Sequence, residues 1–292
     1  MRKLAVRTLA DSLAGGEVNV FASDDDPELI GQALPFALKT LEALLKVDPE
    51  NAELLLATCS SFTQYTYAFS ELKAERLQPT DYRGSRRERE RATRLYLRAR
   101  DYCFRALDQI PELRDEGAAI RLRRDTQETL KALGQEHVPA LFWTAASWGS
   151  AISNGRHRVD LIIDLDVVRQ VLSRCLELDP DYGDGLVHDA FISLEALPAA
   201  MGGSYERAEY HYKRAVELHR NRRVGSHLNW AWLVAIGQQD RESFDAAIEK
   251  ALAVDVTESP QDRLANEVNR DFAIFLRGQA DELFLDDLTG EE

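Results

Sequence analysis

The residues able to do chemistry are few and scattered. Six histidines occur, at 137, 157, 188, 211, 219 and 227. His188 is followed by Asp189 on an expected inner helix, which suggests a buried polar pair. As a general base His188 would need a nucleophile within hydrogen-bond reach, and the sequence offers none. His211 and His219 are eight residues apart, about two helical turns, and read as solvated helix positions. No Gly-rich phosphate loop, GxSxG, HExxH or paired-Cys motif is present. The three cysteines, Cys59, Cys103 and Cys175, are odd in number and widely spaced. That argues against a disulfide framework or a zinc site, and they are expected to be small buried apolar residues. No catalytic residue, metal or cofactor is expected.

Recognition is the chemistry that remains. Phe62, Tyr65 and Phe69 share one face of an expected helix, while Thr63 and Tyr67 lie further round it. A helix apolar on more than one face is deeply buried or lines a cavity. Trp143, Trp148, Trp230 and Trp232 add large rings with a polar edge. For any one of these rings core packing is the simpler account, but a surface carrying several is a default ligand or partner site. The expected lining is Gln64, Tyr65, Tyr67, Trp143, Trp148, Asn154, His188, Asn229 and Trp232. Arg83, Arg86, Arg87, Arg89, Arg91, Arg94, Arg98 and Arg100 are interleaved with Glu88, Glu90 and Asp101, which suggests a salt-bridged, solvated face. A basic patch docking an acidic partner is the alternative.

These side chains need helices to hold them, and one stretch sets the pattern. In ALKTLEALLKVDP, Ala37, Leu41 and Leu44 share a helix face, and Pro49 stops the helix a turn later. Ala99, Cys103, Ala106 and Pro111 repeat the spacing, as do Val168, Leu172, Cys175 and Pro180. Ala208, Tyr212 and Ala215, and Phe244, Ile248 and Ala251, repeat it without the proline. This is the signature of tetratricopeptide-type helix pairs. Run on from Pro49, the register puts Cys59 at the packing position and turns Ser60, Thr63 and Gln64 to the concave side. After Pro180 it packs Ala190 and turns Phe191, Leu194 and Glu195 to the groove.

Helices are expected at 29–47, 51–78, 81–109, 116–133, 137–153, 161–178, 182–197, 205–219, 226–236, 241–253 and 261–279. Asp24-Asp25-Asp26-Pro27-Glu28 reads as a helix start, and Gly202-Gly203-Ser204 as a turn with an N-cap. Leu4, Val6, Leu9 and Leu13 suggest a short amphipathic helix, interrupted too early for an intact signal peptide. No alternating strand pattern appears. The expected class is all-α, a right-handed stack of helix pairs. Residues 1–28 would form a lead-in, 29–287 one tetratricopeptide-like domain and 288–292 an acidic tail.

Composition excludes some partners. The 292 residues carry 36 basic and 50 acidic side chains, a net charge of −14. Nucleic acid and anionic membrane surfaces would be repelled overall. No apolar run reaches the roughly 20 residues of a membrane helix.

Several segments resemble a known family: FASDDDPEL (21–29), LPFALKTLEALL (34–45), SSFTQYTYAF (60–69), RLYLRARDYCFRAL (94–107), LFWTAASWGSAIS (141–153) and LELDPDYGDGLVHDAFIS (176–193). SYERAEYHYKRAVEL (204–218), QQDRESFDAAIEKALAVD (238–255) and DRLANEVNRDFAIFLRGQADELFLDD (262–287) continue the likeness. Together they resemble the T-component (TatT) family of tripartite ATP-independent periplasmic (TRAP) transporter systems. The resemblance implies a non-enzymatic, periplasmic, homotrimeric lipoprotein. It implies docking to the substrate-binding P component, with a groove or pore for a hydrophobic ligand. The family's lipid-attachment cysteine normally precedes the segment matching Arg2 to Gly16, where Met1 stands here: either the native form carries the signal and anchor cysteine that this chain lacks, which is the expectation, or this member is not lipidated. The alternative is a general tetratricopeptide adaptor, like a co-chaperone, that grips peptide segments and could be cytoplasmic.

Overall fold

Residues 19–284 are described by the computed structural model, and among them there are helices and no strands. They fall into two compact units, where the sequence is read as one domain. The first is built from Asp26–Tyr182, and the second from Gly183 onward together with Ala22–Asp25. The amphipathic stretch read at Leu4 to Leu13 and the tail at 288–292 lie outside the described residues.

In the first unit, α1 (Pro27–Leu45) starts as its residues dictate. The Asp26 side chain accepts from the backbone N–H groups of Glu28 and Leu29, and Pro27 occupies the first turn. Asn51 caps α2 (Ala52–Thr66) by accepting from Leu54 N at 3.0 Å. The helical path then widens into a π-turn, Tyr67–Glu71, and resumes as α3 (Leu72–Leu77). Asp81 caps the long α4 (Tyr82–Leu107). The run expected at 116–133 is two short helices, α5 (Ala118–Arg124) and α6 (Thr126–Lys131), because extended Asp125 ends one and caps the other. α7 (Val138–Asn154), α8 (Val159–Ile162) and α9 (Leu165–Leu178) complete the unit. α4 packs against both α2 and α7, and α7 against α2 and α9.

The cysteine expectation is corrected here. Cys59 of α2 and Cys103 of α4 form a disulfide with Cα atoms 5.4 Å apart. Both lie on packing stripes, and the helix pairing brings those stripes face to face. Only Cys175 is a free, buried thiol. An odd count of cysteines excluded a complete framework but not one bond.

The arginines of α4 form the paired face that was expected, and they also stack on rings. Arg89 meets Glu75 at 2.7 Å, Arg98 pairs with the buried Glu42, and Arg86 meets Glu90 at 3.2 Å. Arg91, Arg98 and Arg105 sit over Tyr65, Phe62 and Tyr102. Burial works against the Glu42 charge, but Lys39, Tyr102 and Arg98 outweigh it and hold this carboxyl below its ordinary range.

The second unit opens with three consecutive left-handed residues, Gly183, Asp184 and Gly185. A Cβ on Gly185 would stand 3.2 Å from the Ala215 Cα, so the close approach as well as the turn requires glycine. These three residues lie inside the first turn of α10 (Tyr182–Glu195), which is regular helix only after them; α11 (Tyr205–Leu218) comes next, capped by Ser204 as expected. α12 (Val224–Asn229) runs into a second π-turn, Trp230–Ala235, and on into α13 (Ile236–Gln238). α14 (Arg241–Ala253), α15 (Arg263–Gly278) and α16 (Ala280–Leu283) follow. α12 packs against α14 and α15. Residues 22–25 join this unit: the Leu264 N–H donates to Ala22 O at 2.9 Å, and Arg263 pairs with Asp25.

The repeated stripe does the packing work assigned to it. Leu41, Ala99, Ala106, Val168, Leu172, Ala208, Ala215, Phe244, Ile248 and Ala251 are all buried. The register projected after Pro180 does not hold. Phe191, Leu194 and Glu195 are buried, with Phe191 stacked on His211 at 4.6 Å and Glu195 paired to Arg207. The left-handed turn at 183–185 rotates α10 relative to an uninterrupted helix.

Candidate functional site

The first unit gathers the most polar chemistry under its π-turn. Three buried threonines on α2 send their hydroxyls back to the carbonyl four residues earlier: Thr58 to Leu54, Thr63 to Cys59, and Thr66 to Phe62. On α7, Thr144 and Ser147 do the same. Such self-satisfied small side chains let two helices approach closely and bend the backbone. The Cys59 sulfur lies 3.9 Å from Trp143 O at one end of the contact, and Asn154 hydrogen-bonds Glu71 at the other. α2 and α7 therefore run side by side in the same direction.

The π-turn inserts one residue's worth of rotation and so re-aims Glu71. Tyr96, fully buried on α4, donates its hydroxyl to the Glu71 carboxyl. Burial pushes the Glu71 carboxyl up to about 7, partly opposed by that hydrogen bond. Burial also pushes the Tyr96 phenol well above its ordinary value, and Ser150 hydrogen-bonds its oxygen. Asn154 is 4% exposed, and its Nδ2 donates to Ser150 O at 3.0 Å. Its Oδ1 has no partner. The donors of this cluster are committed and an acceptor is left over.

Of the expected lining residues, this unit brings Tyr67 and Asn154 to the cluster. Tyr67 is half-buried and close enough for its charge to weigh on Tyr96. Trp143 is half-buried on α7 and edge-on to Phe142. Gln64 is exposed one turn before Tyr67, and Ser60 precedes it on the same row. Tyr65 turns to the other side, buried against Phe69 with its hydroxyl taking a bond from Arg91. Trp148 has no exposed surface. It meets the edge of Phe104 at 5.1 Å and lies under the guanidinium of Arg123, so it is core.

In the second unit, His188 is 3% exposed, and its Nδ1 stands 2.8 Å from the Nδ1 of His211. Its ring meets that histidine. Asp189 accepts from the Ser226 hydroxyl at 2.5 Å. His219 Nε2 meets the same hydroxyl at 2.8 Å, while His219 Nδ1 accepts from Arg222 N. The imidazole is then a neutral Nε2–H donor. It gives its proton's bond to a serine whose own proton goes to the aspartate, and this order cannot activate Ser226 as a nucleophile. His227 is fixed likewise: Nε2 donates to Asn221 Oδ1 at 2.6 Å, and Nδ1 accepts from Tyr212. Burial lowers His211, His219 and His227 to about 4. Asn229 is half-buried on α12, and Trp232 is half-buried, edge-on to Phe272.

Sequence reasoning missed Glu71, Tyr96 and Ser150. Tyr96 sits next to the α4 stripe and reads as plain core. Glu71 follows the aromatic run by two residues, and only the π-turn makes it face inward. Among the described residues no group of His, Cys, Asp and Glu is arranged to hold a metal ion. No described helix is long and apolar enough to cross a membrane.

Comparison with known proteins adds an independent line. Residues 23–284 match the family described as TRAP transporter T-component. A protein of Treponema pallidum (strain Nichols), described as uncharacterized, is 26% identical over 304 aligned positions, spanning 98% of this chain and 93% of that protein.

Proposed function

The chain belongs to the TRAP transporter T-component family, an accessory class of transporter proteins and not an enzyme class, and on that premise we propose what it does within such a system. It is a periplasmic accessory component that docks the substrate-binding P component and holds a small, largely hydrophobic ligand. The observation that carries the reading is the family match across nearly all the described residues. Support comes from half-buried Ser60 and Tyr67 with exposed Gln64 between them, and from half-buried Trp143, Ala146 and Ser150, on two segments whose helices pack together. A disulfide between α2 and α4 suits an oxidising compartment. Lipid anchoring would be a feature of the native form in that compartment.

Association is supported by α1. Leu29, Ala33, Phe36 and Ala43 form an exposed row at steps of four, three and seven residues, continued by Val47 just past the helix end, with Phe36 80% exposed. An uncovered apolar row of this length suits a contact between protomers, and the homotrimer of the family reading would use such a face.

One observation favours the second reading, a scaffold gripping peptide segments. α4 presents a depression of about 410 Å³ lined by Arg94, Leu97, Arg98, Asp101, Tyr102 and Arg105. Three guanidinium groups there suit an acidic peptide.

The test is co-purification with the P component of a TRAP system from the same genome. A stable complex is expected. Failure to associate, with retention instead of acidic peptides by a column of the protein, would replace the first reading with the second.

A further inference from the structure

The polar cluster at the π-turn says which ligand chemistry the first unit suits, an inference that rests on the reading that the chain holds a small ligand. Tyr96 gives its only O–H to Glu71, and Ser150 gives its own to Tyr96. Asn154 spends its amide N–H groups on Ser150 O and Glu71. What stays open is an acceptor, the Asn154 Oδ1, buried without a partner beside a Glu71 carboxyl that already accepts from Tyr96 and Asn154. A buried acceptor left unsatisfied is costly, so the complement is a group that brings several donors and a positive charge.

The surroundings add a shape. Tyr67 lies one turn before Glu71, and Ala146 and Ser150 lead from Trp143 toward Asn154 along α7. From Trp143 to Asn154 the helix rises roughly 16 Å, the span of a medium alkyl chain. The segments Ser60 to Glu71 and Trp143 to Asn154 carry no Lys or Arg, and the cation that bears on Glu71 is Arg89 of α4.

The geometry points to Glu71 and Asn154 as the receptor for the ammonium head of a primary-amine amphiphile, whose apolar body lies along Tyr67, Ala146 and Trp143. The ammonium would take Asn154 Oδ1 and Glu71 as hydrogen-bond acceptors and pair with the carboxylate. Hydroxyl or carboxylate heads of equal length would lack the charge or repel it.

The experiment titrates the whole chain with dodecylamine, dodecanol and dodecanoic acid below their aggregation thresholds, following tryptophan fluorescence. Dodecylamine is expected to bind most tightly. Glu71→Gln and Asn154→Leu should each weaken it by about tenfold or more, while leaving dodecanol little changed. Melting curves confirm that both variants fold, and the three-probe comparison on the unaltered protein stands without them. Dodecanol or dodecanoic acid binding as tightly as the amine, or Glu71→Gln leaving amine affinity intact, would overturn the assignment and leave the ligand-holding reading standing. If none of the three binds, the assignment falls. Co-purification with the P component then decides separately whether the accessory role survives.

Discussion

At the residue scale, the chain hides polar groups by giving each a specific partner. Ser226 bridges Asp189 and His219, and it is itself fully buried. Burial pushes Asp189 up to about 6 despite the serine's hydrogen bond. Ser226→Ala leaves a buried carboxyl and an imidazole N–H facing a methyl group. We expect a loss of about 1–3 kcal/mol in urea denaturation. Trp148→Ala removes a ring with no exposed surface and should cost about 3–5 kcal/mol by the same measurement. A loss below 1 kcal/mol would mean that the ring lines open space after all.

At the element scale, the α2–α4 disulfide closes 44 residues of chain. Loop closure of that length contributes about 4 kcal/mol in the chain-entropy account. The Cys59→Ala/Cys103→Ala double variant should therefore melt lower. Thiol titration of the unfolded, unreduced protein should find one reactive group, Cys175; three would remove the bond. The cap shared by α5 and α6 makes a smaller claim. Asp125→Ala should cost about 1 kcal/mol, while Asp125→Asn costs little, because either side-chain oxygen can accept from Glu128 N.

At the scale of the whole molecule, the two units carry opposite proton linkages. His211, His219 and His227 have folded values of about 4 against 6.5 in the unfolded chain. Between those values the unfolded chain binds more protons, so stability of the second unit falls as pH drops from 6.5 toward 4. Asp189 opposes this in part, since its folded value of about 6 lies above 3.8 and its contribution grows on acidification. Three imidazoles outweigh one carboxyl. In the first unit Glu71 stands at about 7 against 4.5, so its contribution is present at low pH and lost as pH rises through 7. Hydrogen exchange read by peptide mass should show residues 183–284 losing protection between pH 6.5 and 4.5 before residues 26–182 do. The reverse order would contradict the burial of the histidine network.

Much of the helical framework was legible because it depends on spacing that the chain carries locally. The stripes at 41, 99–106, 168–175, 208–215 and 244–251 are apolar every three or four residues, and a helix with such a stripe must bury it. Asp26, Asn51, Asp81 and Ser204 announce their helices because a cap needs only one oxygen and the next three N–H groups. The candidate site was legible only in part. Of the residues singled out, Tyr67 and Asn154 lie at the polar cluster and Trp143 is half-buried on α7, while Trp148 and Tyr65 turned into the core. Glu71, Tyr96 and the Cys59–Cys103 bond could not be read. Each depends on which faces of α2, α4 and α7 meet, and on a single π-turn that shifts the phase of everything after it. The sequence by itself determined the class, the caps and the packing stripes, since those are settled within a few turns of chain. Tertiary structure alone decided which polar groups share a proton and which acceptor is left over, because burial and contact between distant helices set those energies.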